Sequence, residues 1–213
     1  MSGSTPPQPE LLSGLRSTWL ITIAASAGGI EALRTLLAAL PRGLPAAVVI
    51  VQHRPAAQEE SHLDKILRRV TSLPVVMADE NQLIVSGNVY IARSNLHLTV
   101  SPEKRFSYVD GTRIRFVLSS ANPLFASAAT TFENRLIAVV LTGGGSDASD
   151  GVQMVKAHGG LVIAQDPRTA RHASMPQSAV KTGAVDYVLP LEAIAPALTA
   201  IIRDEPVHGN SLN

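Results

Sequence analysis

Three residues of this 213-residue chain have the types that serine-based acyl transfer requires: Ser26, His53 and Asp147. A serine hydroxyl is a weak nucleophile until an imidazole takes its proton. A carboxylate on the imidazole then fixes the tautomer and stabilises the imidazolium. Each residue follows an apolar run: Ile21-Thr22-Ile23-Ala24-Ala25, Ala46-Ala47-Val48-Val49-Ile50-Val51-Gln52 and Ile137-Ala138-Val139-Val140-Leu141. Triads are recognised by roles, so the chain order Ser, His, Asp is no obstacle. Singly, each has a plainer explanation. Ser26 and Asp147 can cap the helices that follow them, and His53 can close the end of a sheet. Only their joint occurrence at three strand ends favours catalysis.

Those runs require a sheet to position them. Ser26-Ala27-Gly28-Gly29 turns a buried strand into a helix with the periodic face Ile30, Leu33, Leu36, Leu37, Leu40. A hydroxyl there lies beside the positive end of a helix dipole. Further strands are expected at 74–77, 89–92, 96–100, 161–164 and 185–189. Helices are expected at about 58–70, 124–134, 152–158, 175–182 and 191–203. Phe106 to Phe116, centred on Asp110-Gly111, reads as a hairpin because Asp-Gly tolerates a type I′ turn and both arms alternate. Continuous apolar strands interleaved with helices predict an α/β fold. Its doubly wound, mostly parallel sheet is flanked by helices and carries one antiparallel hairpin excursion. In such sheets ligands gather beyond the carboxyl ends of the strands.

Composition narrows the function classes. Apolar residues make up 46%, enough to fill one α/β core, and the net charge of +1 gives no pull toward nucleic acid. The absence of cysteine excludes a disulfide framework and thiol chemistry. No apolar run is long enough for a membrane span, so a cytoplasmic protein is the expectation. The organisation expected is a disordered lead-in over 1–18, a catalytic domain over 19–205 and a flexible tail over 206–213. Gly143-Gly144-Gly145 lacks both the lysine of a P-loop and the spacing of a dinucleotide fingerprint.

A further set of short motifs extends the three strand ends. Ala25-Ser26-Ala27-Gly28-Gly29, Val51-Gln52-His53-Arg54-Pro55, Val89-Tyr90-Ile91-Ala92, Leu141 to Asp147, Ala164-Gln165-Asp166, Met175-Pro176 and Gly183-Ala184-Val185 occur in one order across Ile21 to Ile202. Together they resemble the catalytic domain of the chemotaxis protein-glutamate methylesterases, the CheB type. The resemblance implies hydrolysis of glutamate methyl esters on chemoreceptor cytoplasmic helices, with deamidation of particular glutamines as a second activity. It implies Ser26 as nucleophile, His53 as general base and Asp147 as orienting carboxylate. It also implies the backbone N–H groups of His53 and Gly144 as oxyanion donors, and no cofactor. A monomer is the simpler expectation, without the receiver domain usual in the family. The alternative is a non-catalytic signalling module whose groove binds a receptor or partner helix.

The chain departs from the family pattern at Ala24, Ala27, Gly144 and Ala148, at Arg93-Ser94-Asn95, and at Leu118-Ser119-Ser120-Ala121-Asn122. These departures are read as a changed substrate rim. Among other candidates, Asp150 is expected to turn toward solvent and His97 to be a satisfied sheet histidine. Arg54, Arg93, Arg168 and Arg171 are loop arginines that can attract acidic helices. Met175 is expected in the core or at the rim, and the six histidines have no zincin-like spacing.

Overall fold

The computed structural model describes residues 19–53, 62–110 and 119–207. In the first half of the chain lie β1 (Trp19–Ala25), α1 (Gly29–Ala38), β2 (Ala46–Gln52), α2 (Leu63–Arg68), β3 (Val75–Met77) and β4 (Val89–Ile91). Then come β5 (Leu96–Val100), β6 (Phe106–Asp110), α3 (Ala121–Phe132) and β7 (Leu136–Val140). The chain continues through α4 (Ser149–Ala157), β8 (Leu161–Gln165), α5 (Ser174–Lys181), β9 (Tyr187–Leu189) and α6 (Leu191–Ile202).

Strands β3-β4-β2-β1-β7-β8-β9 form one sheet in that order, and every adjacent pair is parallel. The central strands are apolar on both faces because both faces are covered. Leu20, Ala24, Ala47, Val49, Val51, Ala138 and Val140 pack with residues of α3, α4 and α5. Their neighbours Ile21, Ile23, Val48, Ile50, Ile137 and Val139 pack with α1, α2 and α6 on the opposite side. Each such fully buried branched side chain contributes about 1.5–3 kcal/mol, so the central strands form the rigid part of the molecule. Among the described residues no helix is long and apolar enough to cross a membrane.

An antiparallel excursion is present among the described residues. β5 pairs with β6 from Leu96↔Asp110 to Val100↔Phe106. Residues 111–118, which include the expected second arm, lie outside the described residues. Tyr90 and Phe106 meet edge to face at 4.9 Å, packing this hairpin against the parallel sheet. Glu80 anchors it further, accepting from Ser107 Oγ at 3.0 Å and from the Tyr108 N–H at 2.8 Å. The helix expected at 58–70 is described only over 62–70, where α2 is its regular part. The expected lead-in lies outside the described residues, as do 208–213 of the expected tail.

The order of strands explains where a site can form. From β1 the chain winds outward through β2 and the β3–β4 edge, then returns to place β7 on the other side of β1. That reversal opens a crevice at the carboxyl ends of β1 and β7. Parity decides which face the end residues continue. Ser26 extends the row Leu20, Thr22, Ala24, and His53 extends Ala47, Val49, Val51, so both continue the face covered by α3.

Candidate active site

Ser26 sits immediately beyond β1. The turn is possible because Gly28 takes φ +76, which glycine enters without a Cβ penalty. Gly28, which has no side chain to cap with, is the N-cap of α1, so Ser26 is not its cap. Ser26 is held by its backbone instead. Its N–H donates to Thr142 O at 3.1 Å, and its carbonyl accepts from the Gly29 N–H at 2.8 Å and from Gln52 Nε2 at 2.8 Å. Its half-buried hydroxyl makes no hydrogen bond among the described residues.

His53 follows β2 directly. Its N–H donates to Ala25 O at 2.9 Å, carrying the β1–β2 ladder one step beyond the strands. Gln52 Nε2 donates to the His53 carbonyl at 3.0 Å as well as to that of Ser26. One amide thus bridges the two strand ends. His53 Nε2 lies 2.7 Å from Asp147 Oδ2, with both side chains buried. The oxygen lies off the axis of the ring N–H, so the contact is close but not a straight hydrogen bond. With a carboxylate at Nε2, the ring proton belongs there and the lone pair on Nδ1.

Asp147 is not a cap of α4 either. That helix has Ala148 at its N-cap, in the left-handed region at φ 72, and Ala148 itself makes no side-chain cap hydrogen bond. The resemblance places glycine at this position, which suits its backbone conformation. Asp147 is held by the amino end of α3. Oδ1 accepts from Ser120 Oγ at 2.5 Å and from Asn122 Nδ2 at 3.3 Å, and Oδ2 accepts from the Ala121 N–H at 2.7 Å. Burial alone would raise this carboxyl. The close His53 contact and its charge, Ser120 and the Ala121 N–H outweigh burial and hold it below the ordinary carboxylate value.

The glycine-rich loop completes the crevice. The Gly143 N–H donates to His172 O at 2.9 Å, and Thr142 Oγ1 donates to Ala27 O at 3.1 Å. A Cβ on Gly143 would lie 2.8 Å from Ser26 Cβ and 2.7 Å from Met175 Cε. Met175 can swing its end aside, whereas Ser26 Cβ cannot move without its backbone. Gly143→Ala is therefore expected to lower the melting temperature by a few degrees, as overpacking by about 1–3 kcal/mol does. Any turnover that uses Ser26 should fall about tenfold or more with it. Thermal denaturation and steady-state kinetics on the same preparation check both effects. Gly144, in contrast, is exposed, and a Cβ there would meet nothing within 4 Å.

The structure thus gathers Ser26, His53, Asp147 and Gly144 at one end of the sheet and joins His53 to Asp147. The proposed oxyanion pair is unequal, because the His53 N–H is already engaged by Ala25 O. The segment read as a changed rim is different in kind. Ser120, Ala121 and Asn122 face the buried Asp147 carboxylate rather than a substrate. Sequence reasoning missed them because the helix was expected to begin at Leu124. Pro123 in the first turn disguised the start, although proline is tolerated there. Ser120 followed by an apolar helix was the signal that could have found it.

The remaining candidates sort simply. His97 is buried, accepting the Ser120 N–H at Nδ1 over 3.1 Å. Asp150 is exposed, and Met175 is buried. Arg93 pairs with Asp79, and Arg168 pairs with Asp166 at 2.6 Å. Arg171 lays its stem beside Gly28, and Arg54 lies outside the described residues.

Comparison with known proteins adds a family. A family model described as CheB methylesterase matches residues 21–198. A putative protein-glutamate methylesterase/protein-glutamine glutaminase of Leptospira interrogans is 42% identical over 175 residues, covering 82% of this chain and 90% of that protein. The protein-glutamate methylesterase FrzG of Myxococcus xanthus is 39% identical over 179 residues, covering 84% of this chain and 53% of that protein. The crystal structure of the Thermotoga maritima CheB methylesterase catalytic domain is similar with a TM-score of 0.81 at 33% identity. It covers 86% of this chain and 98% of that one.

Proposed function

We propose that this chain, which belongs to the CheB methylesterase family, hydrolyses the methyl esters of glutamate side chains on chemoreceptor helices, with Ser26, His53 and Asp147 as its triad. The observation that carries the reading is the 2.7 Å approach of His53 to a carboxylate at a strand end next to Ser26. Neither Ser26 nor Asp147 is the N-cap residue of the helix that follows it, those places being held by Gly28 and Ala148.

In this reading Ser26 Oγ attacks the ester carbonyl carbon while His53 Nδ1 takes the hydroxyl proton. The tetrahedral oxyanion is met by the exposed Gly144 N–H. The His53 N–H has a weaker claim on that role, since Ala25 O holds it. Collapse breaks the bond to the methoxy oxygen, and His53 returns its proton to release methanol. A water, deprotonated by His53, then attacks the glutamyl–Ser26 ester, and the C–O bond to Ser26 breaks as His53 returns that proton to Ser26 Oγ, leaving a free glutamate side chain that ionises to the carboxylate. Asp147 stays ionised throughout. A glutamine side chain would follow the same course with ammonia as the leaving group, the deamidation that the names of several relatives include.

The test is methanol release from a chemoreceptor cytoplasmic fragment carrying glutamate methyl esters. Stoichiometric methanol and new carboxylates are expected. Binding of the methylated fragment with no methanol released would overturn the reading in favour of a binding module.

A further inference from the structure

Asp147 is gripped by more than a triad carboxylate needs. Three of its four contacts come from the consecutive residues Ser120, Ala121 and Asn122. Had His53 been its only partner, the carboxylate could rotate about its own Cβ–Cγ bond and turn either oxygen toward the ring. With Oδ1 held by Ser120 Oγ at 2.5 Å and Oδ2 by the Ala121 N–H at 2.7 Å, that rotation is blocked.

The Ser120 hydroxyl is itself oriented. Its oxygen accepts the Asn122 N–H at 3.2 Å as the N-cap of α3, so its proton is directed at Asp147. Capping uses only the lone pair, and the donation to Asp147 is additional. The Ser120 backbone is fixed in turn by His97, whose Nδ1 accepts the Ser120 N–H at 3.1 Å and so must carry a lone pair. His97 is 2% exposed and lies on β5, so the antiparallel hairpin braces the amino end of α3. Asn122 closes the arrangement from the other side. Its Oδ1 accepts the Gly151 N–H at 2.7 Å, locking α4 and the preceding Asp147 loop to α3.

We propose that Ser120 is a positioning residue, oriented by Asn122 and His97, whose hydroxyl fixes the Asp147 carboxylate in the orientation that serves His53. The proposal rests on the reading of Ser26, His53 and Asp147 as a hydrolytic triad. It adds an outer pair of residues, Ser120 and His97, to that reaction.

Glycine is nearly as good an N-cap as serine, so Ser120→Gly removes the hydroxyl while sparing the helix start. A charge-assisted hydrogen bond of this kind corresponds to about 10- to 100-fold in rate. Ser120→Gly is expected to lower kcat for methyl-ester hydrolysis by that factor with KM within about twofold. Ser120→Thr should restore most of it. In the same variants, carbon-detected NMR titration of the Asp147 carboxyl should show its pKa rising in Ser120→Gly and returning toward wild type in Ser120→Thr. His97→Asn, which keeps an acceptor near the Nδ1 position, should behave as wild type, and His97→Leu should lose rate.

The proposal is overturned if Ser120→Gly keeps kcat within twofold and leaves the Asp147 titration unmoved, since Ser120 would then be a cap alone. If Ser120→Gly fails to fold, Ser120→Thr with wild-type values beside a slow His97→Leu still supports it, and two wild-type results overturn it. The carboxyl titration needs no turnover. An esterase-inactive wild type would therefore sink the hydrolytic reading, while the titration still decides whether Ser120 holds Asp147.

Discussion

Ser26→Ala is expected to reduce methyl-ester hydrolysis by about 10⁵-fold or more, because loss of the nucleophile from a triad removes nearly all that the triad contributes. Fold and stability should be almost untouched. The hydroxyl has no hydrogen-bond partner among the described residues, and its removal leaves the Thr142, Gly29 and Gln52 contacts of the backbone in place. The melting temperature should therefore stay within about 1 °C of wild type, the usual range for a substitution that breaks no packing or hydrogen bond. Kinetics of methanol release and thermal denaturation test the two halves together. Labelling provides a third readout. A phosphonofluoridate should add one adduct to the wild-type protein, at Ser26, and none to the alanine variant. Turnover by Ser26→Ala at the wild-type rate would remove Ser26 from the chemistry.

Asp147→Asn should cost about 10⁴-fold in kcat. The reason is the set of groups around the carboxylate. Ser120 Oγ–H, the Ala121 N–H, Asn122 Nδ2 and His53 Nε2 all approach it as donors. An asparagine must point its own NH₂ at some of them. If it faces His53, the ring proton moves to Nδ1, and the lone pair that would accept the Ser26 proton is gone. If it faces α3, two helix-terminal donors lose their acceptor in a buried site, at about 1–3 kcal/mol each. Stability should show a matching pH dependence. The folded-state carboxyl is held below its ordinary value, so its contribution is complete above about pH 4 and is lost as pH falls through the folded-state value. The gap in melting temperature between wild type and Asp147→Asn should therefore narrow as pH drops below about 4. A gap that stays constant from pH 7 to pH 3 would contradict the lowered carboxyl.

The parallel sheet was readable because a strand buried on both faces carries an unbroken apolar run. Ala46–Gln52 illustrates how closely such a run locates a strand, and Leu191–Ile202 how closely apolar periodicity locates a helix. The excursion was harder. The pairing of β5 with β6 has no such local mark, and Phe106 of β6 packs on Tyr90 of β4 across the two sheets. The start of α3 was missed for a related reason. Ala121-Asn122-Pro123 is a poor helical sequence in isolation, and it is held helical by the Ser120 cap on the Asn122 N–H and by the Asp147 carboxylate on the Ala121 N–H.

Sequence alone determined the fold class, the three strand ends and the candidacy of Ser26, His53 and Asp147, since each depends on local apolar periodicity and residue chemistry. It also carried the motifs by which the family is recognised. Only the tertiary structure decided that Asp147 belongs to the amino end of α3 rather than to α4, and that it addresses Nε2 of His53. It alone brought Ser120, Asn122 and His97 around that carboxylate. These contacts join segments far apart in the chain, and no local pattern encodes them. They follow from the return of β7 to the side of β1, which sets the Asp147 loop, the end of β2 and the start of α3 in one crevice.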